Sequence, residues 1–494
     1  MEYAKRGQLT AYFLGETFLL TAISVLISLV ATEWLLTWLR QFLEKQLELN
    51  IFTDPYLLLF LVMLVCITTF FSGFYPAVIL SGFNPVAVLK NKLGAQGSSG
   101  AGVRKVLVLF QFTIAQILII GTLIIADQMQ YFRDKPLGFE EESVINVPIP
   151  ENKIEQLHSL RARLEANPSI QRISFSLGAP TSDNNFGTGF FLTEKGKTER
   201  YSIGVKTVDR HYLETYGIKL KKGRWFSEAD ELASSAVPES LGDSQIPGAK
   251  PKYVYILNES AAKRLGFNDT EEVIGKNITT GVNSIDAEVV GVVEDFHVSS
   301  LHDEIEPVVL INFPFFYYDA GIKVSSGNLT ETISFIEKQW SEVYPEYNFE
   351  YQFLDEHLTR LYRNDQRTFT MFKIFAGVSI FIGCLGLYGL ISFMANQKLR
   401  EVGIRKVMGA SVSSIVLLFS REFVKLIVLA FFVAAPVAWY FMDQWLNGFA
   451  YRISIEWAVF AISIFSTLLI ALLTVSYRAI RAATINPVET LRTE

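Results

Sequence analysis

The stretch Lys398-Leu399-Arg400-Glu401-Val402-Gly403-Ile404-Arg405-Lys406-Val407-Met408-Gly409-Ala410 decides how the rest of this chain is read. It is short, basic and punctuated by glycine, and it lies between two long apolar runs, 369–394 and 414–440. Each run is long enough for a helix that crosses a hydrocarbon core of about 30 Å. The stretch between them is therefore a tight turn at a bilayer surface. Lys398, Arg400, Arg405 and Lys406 put that surface on the cytoplasmic side, because short cytoplasmic loops are the ones that carry excess Lys and Arg.

Working outward, runs of the same kind occupy 10–32, 55–80 and 106–126 before it and 455–477 after it. Between the third and fourth runs the polypeptide changes character. Short β-like runs at 143–148, 170–176, 253–257, 287–293, 308–313 and 321–324 interleave with helical patterns at 151–166, 259–265 and 329–343. That mixture indicates an α+β domain of one or two lobes. The Ser-, Pro-, Gly- and Ala-rich segment 232–251 is expected to be a surface loop. The predicted fold class is a polytopic α-helical membrane protein with six transmembrane helices and one large extracytoplasmic α+β domain.

Composition agrees. Half of the 494 residues are apolar and mean hydropathy is +0.28, too apolar for an ordinary soluble protein and too polar for one wholly embedded in lipid. The net charge of −6 comes without a long basic run, which argues against nucleic acid as a partner. Cys66 and Cys384 sit inside apolar runs and form neither a disulfide framework nor a metal motif. Positive flanks precede the first run and follow the second, the fourth and the sixth, the last with Arg478, Arg481 and Arg492. This alternation predicts both termini inside and residues 134–366 outside.

The two ends of the chain resemble one another. Phe13-Leu14-Gly15-Glu16 lies over Phe419-Ser420-Arg421-Glu422, and Asn84-Pro85-Val86 and Asn486-Pro487-Val488 each follow the second span of a pair. A repeated element in the same place after the same pair of spans indicates duplication. In this register Ala4-Lys5-Arg6 matches only the end of the counterpart of 398–410. The expectation is an N-terminally truncated version of a longer duplicated protein, or a gene model started late, with Ala4, Lys5 and Arg6 as the stub of the first copy of 398–410; the alternative is a natural six-span form.

Glu401-Val402-Gly403-Ile404-Arg405-Lys406 with Gly409-Ala410, then two spans and Asn-Pro-Val, resembles the FtsX-like permease domain of MacB-type ABC transporters. The segment outside the spans resembles a MacB-type periplasmic core. The likeness rests on Leu137-Gly138-Phe139, on Tyr216-Gly217-Ile218 with Gly223-Arg224-Trp225-Phe226, and on Val289-Val290-Gly291-Val292-Val293-Glu294-Asp295-Phe296. The resemblance implies five parts. Residues 1–93 are the C-terminal part of a first permease domain with two spans, 94–105 a cytoplasmic linker and 106–133 a further span. Residues 134–366 are the MacB-like core, and 367–494 a second permease domain with three spans.

It also implies that Arg400, Glu401, Gly403, Ile404, Arg405, Lys406, Gly409 and Ala410 form a coupling helix docking on a separate cytoplasmic ABC ATPase, a dimer. The plainer alternative is that these cations only set topology and meet lipid headgroups. The implied location is a bacterial inner membrane. The implied function is export of lipid, lipoprotein, peptide or drug by mechanotransmission, with membrane lipid and a periplasmic or outer-membrane protein as further partners. A second reading within the family is an ATP-driven switch that regulates a cell-wall hydrolase or sensor kinase and transports nothing.

No catalytic residue and no resident cofactor is expected, ATP-Mg belonging to the partner. Gly196-Lys197-Thr198 is the nearest approach to a phosphate-binding loop, but Phe191 stands where its first glycine belongs. His297 and His302 lie in a carboxylate-rich stretch whose spacing matches no zinc signature, so a strand followed by a polar turn accounts for them. Gln111 and Gln116 are expected to bond between helices, and the charge-poor spans argue against an ion-coupled carrier.

Overall fold

Backbone groups in hydrocarbon must be satisfied within their own segment, so long apolar runs become helices. The computed structural model describes residues 6–51, 53–81, 99–140, 143–182, 186–194, 200–235, 252–281, 284–325 and 327–483. In chain order its helices are α1 (Arg6–Leu43), α2 (Pro55–Ser81), α3 (Ser99–Asp134), α4 (Ile154–Leu164), α5 (Tyr212–Tyr216), α6 (Glu228–Ser234) and α7 (Glu259–Arg264). They continue with α8 (Leu329–Val343), α9 (Leu354–Leu361), α10 (Arg363–Gln397), α11 (Leu399–Val407), α12 (Val412–Leu446) and α13 (Trp457–Ala483).

Among the described residues five helices are long and apolar enough to cross a membrane: α1, α2, α3, α10 and α13. The remaining run forms α12, 35 residues with Pro436 inside it and no charge between Lys425 and Asp443. The chain divides into two compact units. One comprises Met1–Ile119, Thr370–Ala435 and Phe460–Glu494, and the other Ile120–Phe369 and Pro436–Val459.

In the first unit Val108 and Phe112 of α3, Leu387 and Ile391 of α10, Phe419 and Phe423 of α12, and Ala471 and Val475 of α13 share one buried cluster. The buried residues of α12 recur every three or four positions from Ile415 to Leu446, the stripe of a helix with one packed face. Gln116 is fully buried and its amide donates to the Ile427 carbonyl at 3.4 Å and to Thr467 Oγ1 at 3.2 Å, the interhelical role expected of it. Helices α1 and α2 pack on each other where Gly73 meets Leu14 and Thr17. Their outer faces stay exposed, Cys66 among them, in contrast to the buried position its apolar surroundings suggest.

The second unit has two lobes. The strands of the first are β1 (Val144–Pro148), β2 (Ile170–Ser176), β10 (Asp319–Val324) and β11 (Gln352–Phe353), in the antiparallel order β11-β1-β10-β2. With α4 after β1 and α8 after β10 this is a split βαβ arrangement of ferredoxin-like type. Leu157, Leu160 and Leu164 of α4 and Ile336 and Trp340 of α8 fill its core.

The second lobe is inserted between β2 and β10. Its strands are β3 (Phe186–Leu192), β4 (Tyr201–Thr207), β5 (Leu220–Gly223), β6 (Val254–Asn258), β7 (Asn277–Thr280), β8 (Asp286–Val293) and β9 (Val308–Ile311). They run in the order β5-β8-β6-β9-β4-β3-β7, and β7 pairs back onto β8, so six strands close into a ring that leaves no open edge along it. Alternate residues serve different cores. Tyr255 and Leu257 of β6 enter one cluster with Phe190, Ile203 and Val309, while Val254 and Ile256 enter another with Tyr212, Tyr216 and Val290. Strands buried on both faces read as unbroken apolar runs, which is why β6, β8 and β9 were legible.

Asp209 ties the lobes together. It is fully buried, pairs with Arg161 of α4, and accepts hydrogen bonds from Ser174 Oγ at 2.7 Å and from the backbone N–H of Phe175 and His211. Removing one member of such a buried pair costs about 3–5 kcal/mol, because the other charge is left uncompensated. Burial pushes the nearby Asp319 carboxyl up to about 8, against the lowering influence of Lys206.

Candidate functional site

The 398–410 stretch folds as a separate short helix, α11, between the ends of α10 and α12. Lys398 breaks the path of α10 (φ −99°, ψ 9°), while its N–H still donates to the Met394 carbonyl at 3.0 Å. Glu401 pairs with Arg405 one turn on at 2.8 Å and lies 3.8 Å from Lys398. Such pairs stabilise an exposed helix by about 0.3–0.5 kcal/mol, enough to favour the helix but not to hold it alone.

Termination is local and chemical. Gly409 adopts φ +89°, in the left-handed region that favours glycine. Its N–H donates to the Lys406 carbonyl at 3.0 Å, and the Ala410 N–H donates to the Arg405 carbonyl at 2.9 Å. These bonds satisfy carbonyls that the helix end would otherwise leave open. Ser411 then accepts from the Ser414 N–H at 3.3 Å and starts α12.

The helix presents mixed chemistry. Ile404, Val407 and Met408 are 47%, 67% and 81% exposed, and Arg405 is exposed beside them. Apolar side chains next to a charged pair on a helix of nine residues make a surface suited to a groove on a partner protein. Of the residues singled out by sequence, Glu401, Gly403, Ile404, Arg405 and Lys406 lie on α11, Arg400 in its first turn, and Gly409 and Ala410 in its cap. Arg6 opens α1. Ala4, Lys5, Asn84, Pro85, Val86, Asn486, Pro487 and Val488 lie outside the described residues, as do Gly196-Lys197-Thr198 and most of 232–251.

Behind α11, Lys105 of α3 pairs with Glu422 of α12 at 3.0 Å, and the Arg104 guanidinium lies 4.1 Å from the Phe393 ring of α10. These contacts tie three helices of the first unit together near the ends that α11 joins.

In the second unit the sequence elements quoted above converge. The His297 N–H donates to the Leu137 carbonyl at 2.9 Å, and the Glu140 N–H donates to the Tyr216 carbonyl at 2.7 Å. Gly138 (φ +87°) lies so close to Asp295 and Phe296 that an added Cβ would stand 2.6 Å from the Asp295 carbonyl oxygen. The glycine is there because two backbones meet.

A connection that sequence reasoning missed is the loop between α12 and α13. Gln128 donates from Nε2 to the Tyr451 carbonyl at 2.9 Å and accepts from the Ile453 N–H at 3.0 Å. The Lys135 ammonium stands 3.6 Å from the Tyr451 ring, His297 packs edge-on to that ring, and His302 lies 3.4 Å from Asp365 among Phe132, Tyr362 and Phe449. Burial, with Lys135 adding to it, draws the His297 imidazole down to about 4, so it is neutral and packs as a ring. Both histidines are structural in this setting. Aromatic residues bracketing a short, charge-poor loop were the available signal.

Comparisons with known proteins follow the same division. The model of the FtsX-like permease C-terminal family matches residues 4–85 and 373–487, and that of the MacB-like periplasmic core domain matches residues 107–336. One family model on both sides of the core agrees with the internal repeat. No curated protein matches the chain. Among solved structures the chain is similar to the periplasmic region of MacB from Actinobacillus actinomycetemcomitans, at 15% identity over 47% of this chain and 97% of that one, with a TM-score of 0.32. It is also similar to the extracellular domain of the noncanonic ABC-type transporter YknZ from Gram-positive bacteria, at 14% identity over 42% of this chain and 98% of that one, with a TM-score of 0.29.

Proposed function

We propose that this chain, which belongs to the FtsX-like permease family with a MacB-like periplasmic core domain, is the membrane subunit of an ABC system that carries the motion of a cytoplasmic ATPase to an extracytoplasmic domain. In this reading all six long helices span a bacterial inner membrane, both termini are cytoplasmic, and residues 134–366 lie on the far side. A separate ATPase dimer binds and hydrolyses ATP-Mg; the chain itself holds no cofactor and performs no chemistry. Its cargo class is that of an exporter: lipid, lipoprotein, peptide or drug.

The observation that carries the reading is α11. A short helix between two long ones, capped by Gly409, offers Ile404, Val407 and Met408 beside the Glu401–Arg405 pair. Arg405→Glu with Lys406→Glu leaves the apolar residues in place and reverses the charge. Association with candidate ATPases and the ATPase rate of the complex should both fall at least tenfold, while the chain still inserts and keeps its melting temperature. Unchanged association and rate would remove the coupling assignment and leave the cations with the task of setting topology.

The loop between α12 and α13 adds to this reading. It packs on His297 and His302 of the extracytoplasmic domain and is hydrogen-bonded to Gln128 of α3, a non-covalent contact besides the covalent links through α3 and α10.

A further inference from the structure

A cavity of about 700 Å³ lies where α3 enters the extracytoplasmic domain, walled by α3, by α9 and by the start of α10. That volume is within the range of about 300–1,000 Å³ typical of ligand pockets. Each wall is one face of a helix. On α3 Ala126, Met129, Gln130 and Arg133 line it at helical spacing. The other wall is Asp355, Leu358 and Thr359 of α9, continued by Tyr362, Gln366 and Phe369.

Both walls carry the same gradient. Ala126 ends the apolar run of α3 and Phe369 begins that of α10, and both helices are long and apolar enough to cross a membrane. Met129 and Leu358 come next and are buried. Arg133 and Asp355, at the other end of each wall, are exposed. Two turns of α3 separate Ala126 from Arg133, about 10 Å at 1.5 Å per residue. The polar layer on one side of a bilayer is about 5–7 Å deep, so the cavity reaches from hydrocarbon to water.

The charges at the polar end select the ligand. Lys135 also lines the cavity, but its ammonium donates to the Tyr131 hydroxyl at 3.1 Å and stands 3.6 Å from the Tyr451 ring. Among the described residues Arg133 and Asp134 make no ion pair. Arg133 therefore offers one cation, and Asp134 and Asp355 offer two carboxylates. An anionic headgroup would meet Arg133 and be repelled by both carboxylates. A headgroup with one phosphate and one ammonium finds an opposite charge for each. A primary ammonium also donates hydrogen bonds to a carboxylate, which a quaternary one cannot.

We propose that this cavity holds one zwitterionic phospholipid with an ethanolamine headgroup, as a resident ligand and not as cargo. Its phosphate pairs with Arg133, its ammonium with Asp355 and Asp134, and the upper part of a chain lies along Met129, Leu358 and Phe369. Helices α3 and α10 are the covalent links between the domain and the spans, so the occupant braces one link against the other. The assignment rests on α3 and α10 crossing a membrane and not on ATPase coupling.

The test uses the full chain purified in detergent, with palmitoyl-oleoyl phosphatidylethanolamine, phosphatidylcholine and phosphatidylglycerol added singly. Native mass spectrometry reads the affinity of the first lipid bound. The ethanolamine lipid should be held at least fivefold more tightly than either of the others. Arg133→Gln should weaken it at least fivefold. Asp355→Asn keeps an acceptor for the Glu356 N–H and should bring the ethanolamine lipid to the level of the choline lipid. Thr359→Trp fills the rim and should abolish the tight adduct. All three positions are exposed, so the fold is kept. Equal affinity for the three lipids, as a non-specific lipid annulus would give, overturns the proposal. So does preference for phosphatidylglycerol, or ethanolamine-lipid binding that Arg133→Gln and Thr359→Trp both leave unchanged. No ATPase takes part, so failure here is distinct from failure of the coupling reading.

Discussion

Helices α1 and α12 occupy the same place in the two halves of the repeat, 406 positions apart as Phe13 and Phe419 show, yet they present different stripes. On α12 Phe419, Phe423, Ile427, Ala430 and Ala434 are buried. The corresponding residues of α1 are Phe13, Thr17, Thr21, Ser24 and Ser28. Their hydroxyls turn back on their own helix: Thr17 donates to the Phe13 carbonyl, Thr21 to Thr17, Ser24 to Leu20 and Ser28 to Val25, each at 2.8 Å. A hydroxyl satisfied this way needs nothing from a neighbour.

The difference teaches what duplication does and does not transmit. Helix α12 has α3, α10 and α13 around it and needs bulk to fill the space between them. Helix α1 packs on α2, where Gly73 meets Leu14 and Thr17. The repeat supplied the helix and its length; the neighbours decided which side chains its stripe carries.

The widest gap between the halves should appear at their coupling ends. Reversing Arg405 and Lys406 should lower ATPase association at least tenfold, whereas the same reversal at Lys5 and Arg6 should change it less than twofold. Pull-down of the ATPase by the two variants checks this, and equal losses would make the halves functionally equivalent. Core packing comes next. Phe423→Ala should destabilise the chain by about 3 kcal/mol, the range for a buried aromatic cut to alanine. Its counterpart Thr17→Ala should cost under about 0.5 kcal/mol, because a self-satisfied hydroxyl leaves no orphan when removed. Thermal unfolding of the purified variants measures both, and a large effect at Thr17 would mean that α1 has a packing partner beyond α2. The smallest contrast is between glycines. Gly409→Ala meets no steric neighbour but must adopt φ +89°, a strain of about 1 kcal/mol that should loosen the α11–α12 junction. Gly15→Ala lies in the middle of α1 with nothing within 4 Å and should stabilise by up to about 1 kcal/mol. Amide hydrogen exchange at 404–412 and at 11–19 reads the two changes.

Much of the architecture was legible. Helix α8 lies where the pattern at 329–343 put it, and α11 formed where glycine, charge and flanking apolar runs required a turn. Strands β3 and β4 were missed. Gly187 and Gly189 interrupt the apolar pattern of the first, and Lys206 interrupts the second. That lysine is 2% exposed because the Ala179 carbonyl and Ser182 Oγ accept from its ammonium, partners more than twenty residues away. The residues of 398–410 could be singled out because all of them fall within one turn-and-cap stretch.

What the sequence by itself determined about this protein is therefore the order of its long helices, the identity of its short charged helix and the duplication of its ends. Those depend on apolar length, flanking charge and a capping glycine, all properties of neighbouring residues. Only the tertiary structure decided that the domain has two lobes, that β7 closes the ring against β8, and that Asp209 locks α4 to β2. Those depend on which distant residues meet. Ile173 pairs with Ile322 across an entire inserted lobe, and no local pattern records that meeting.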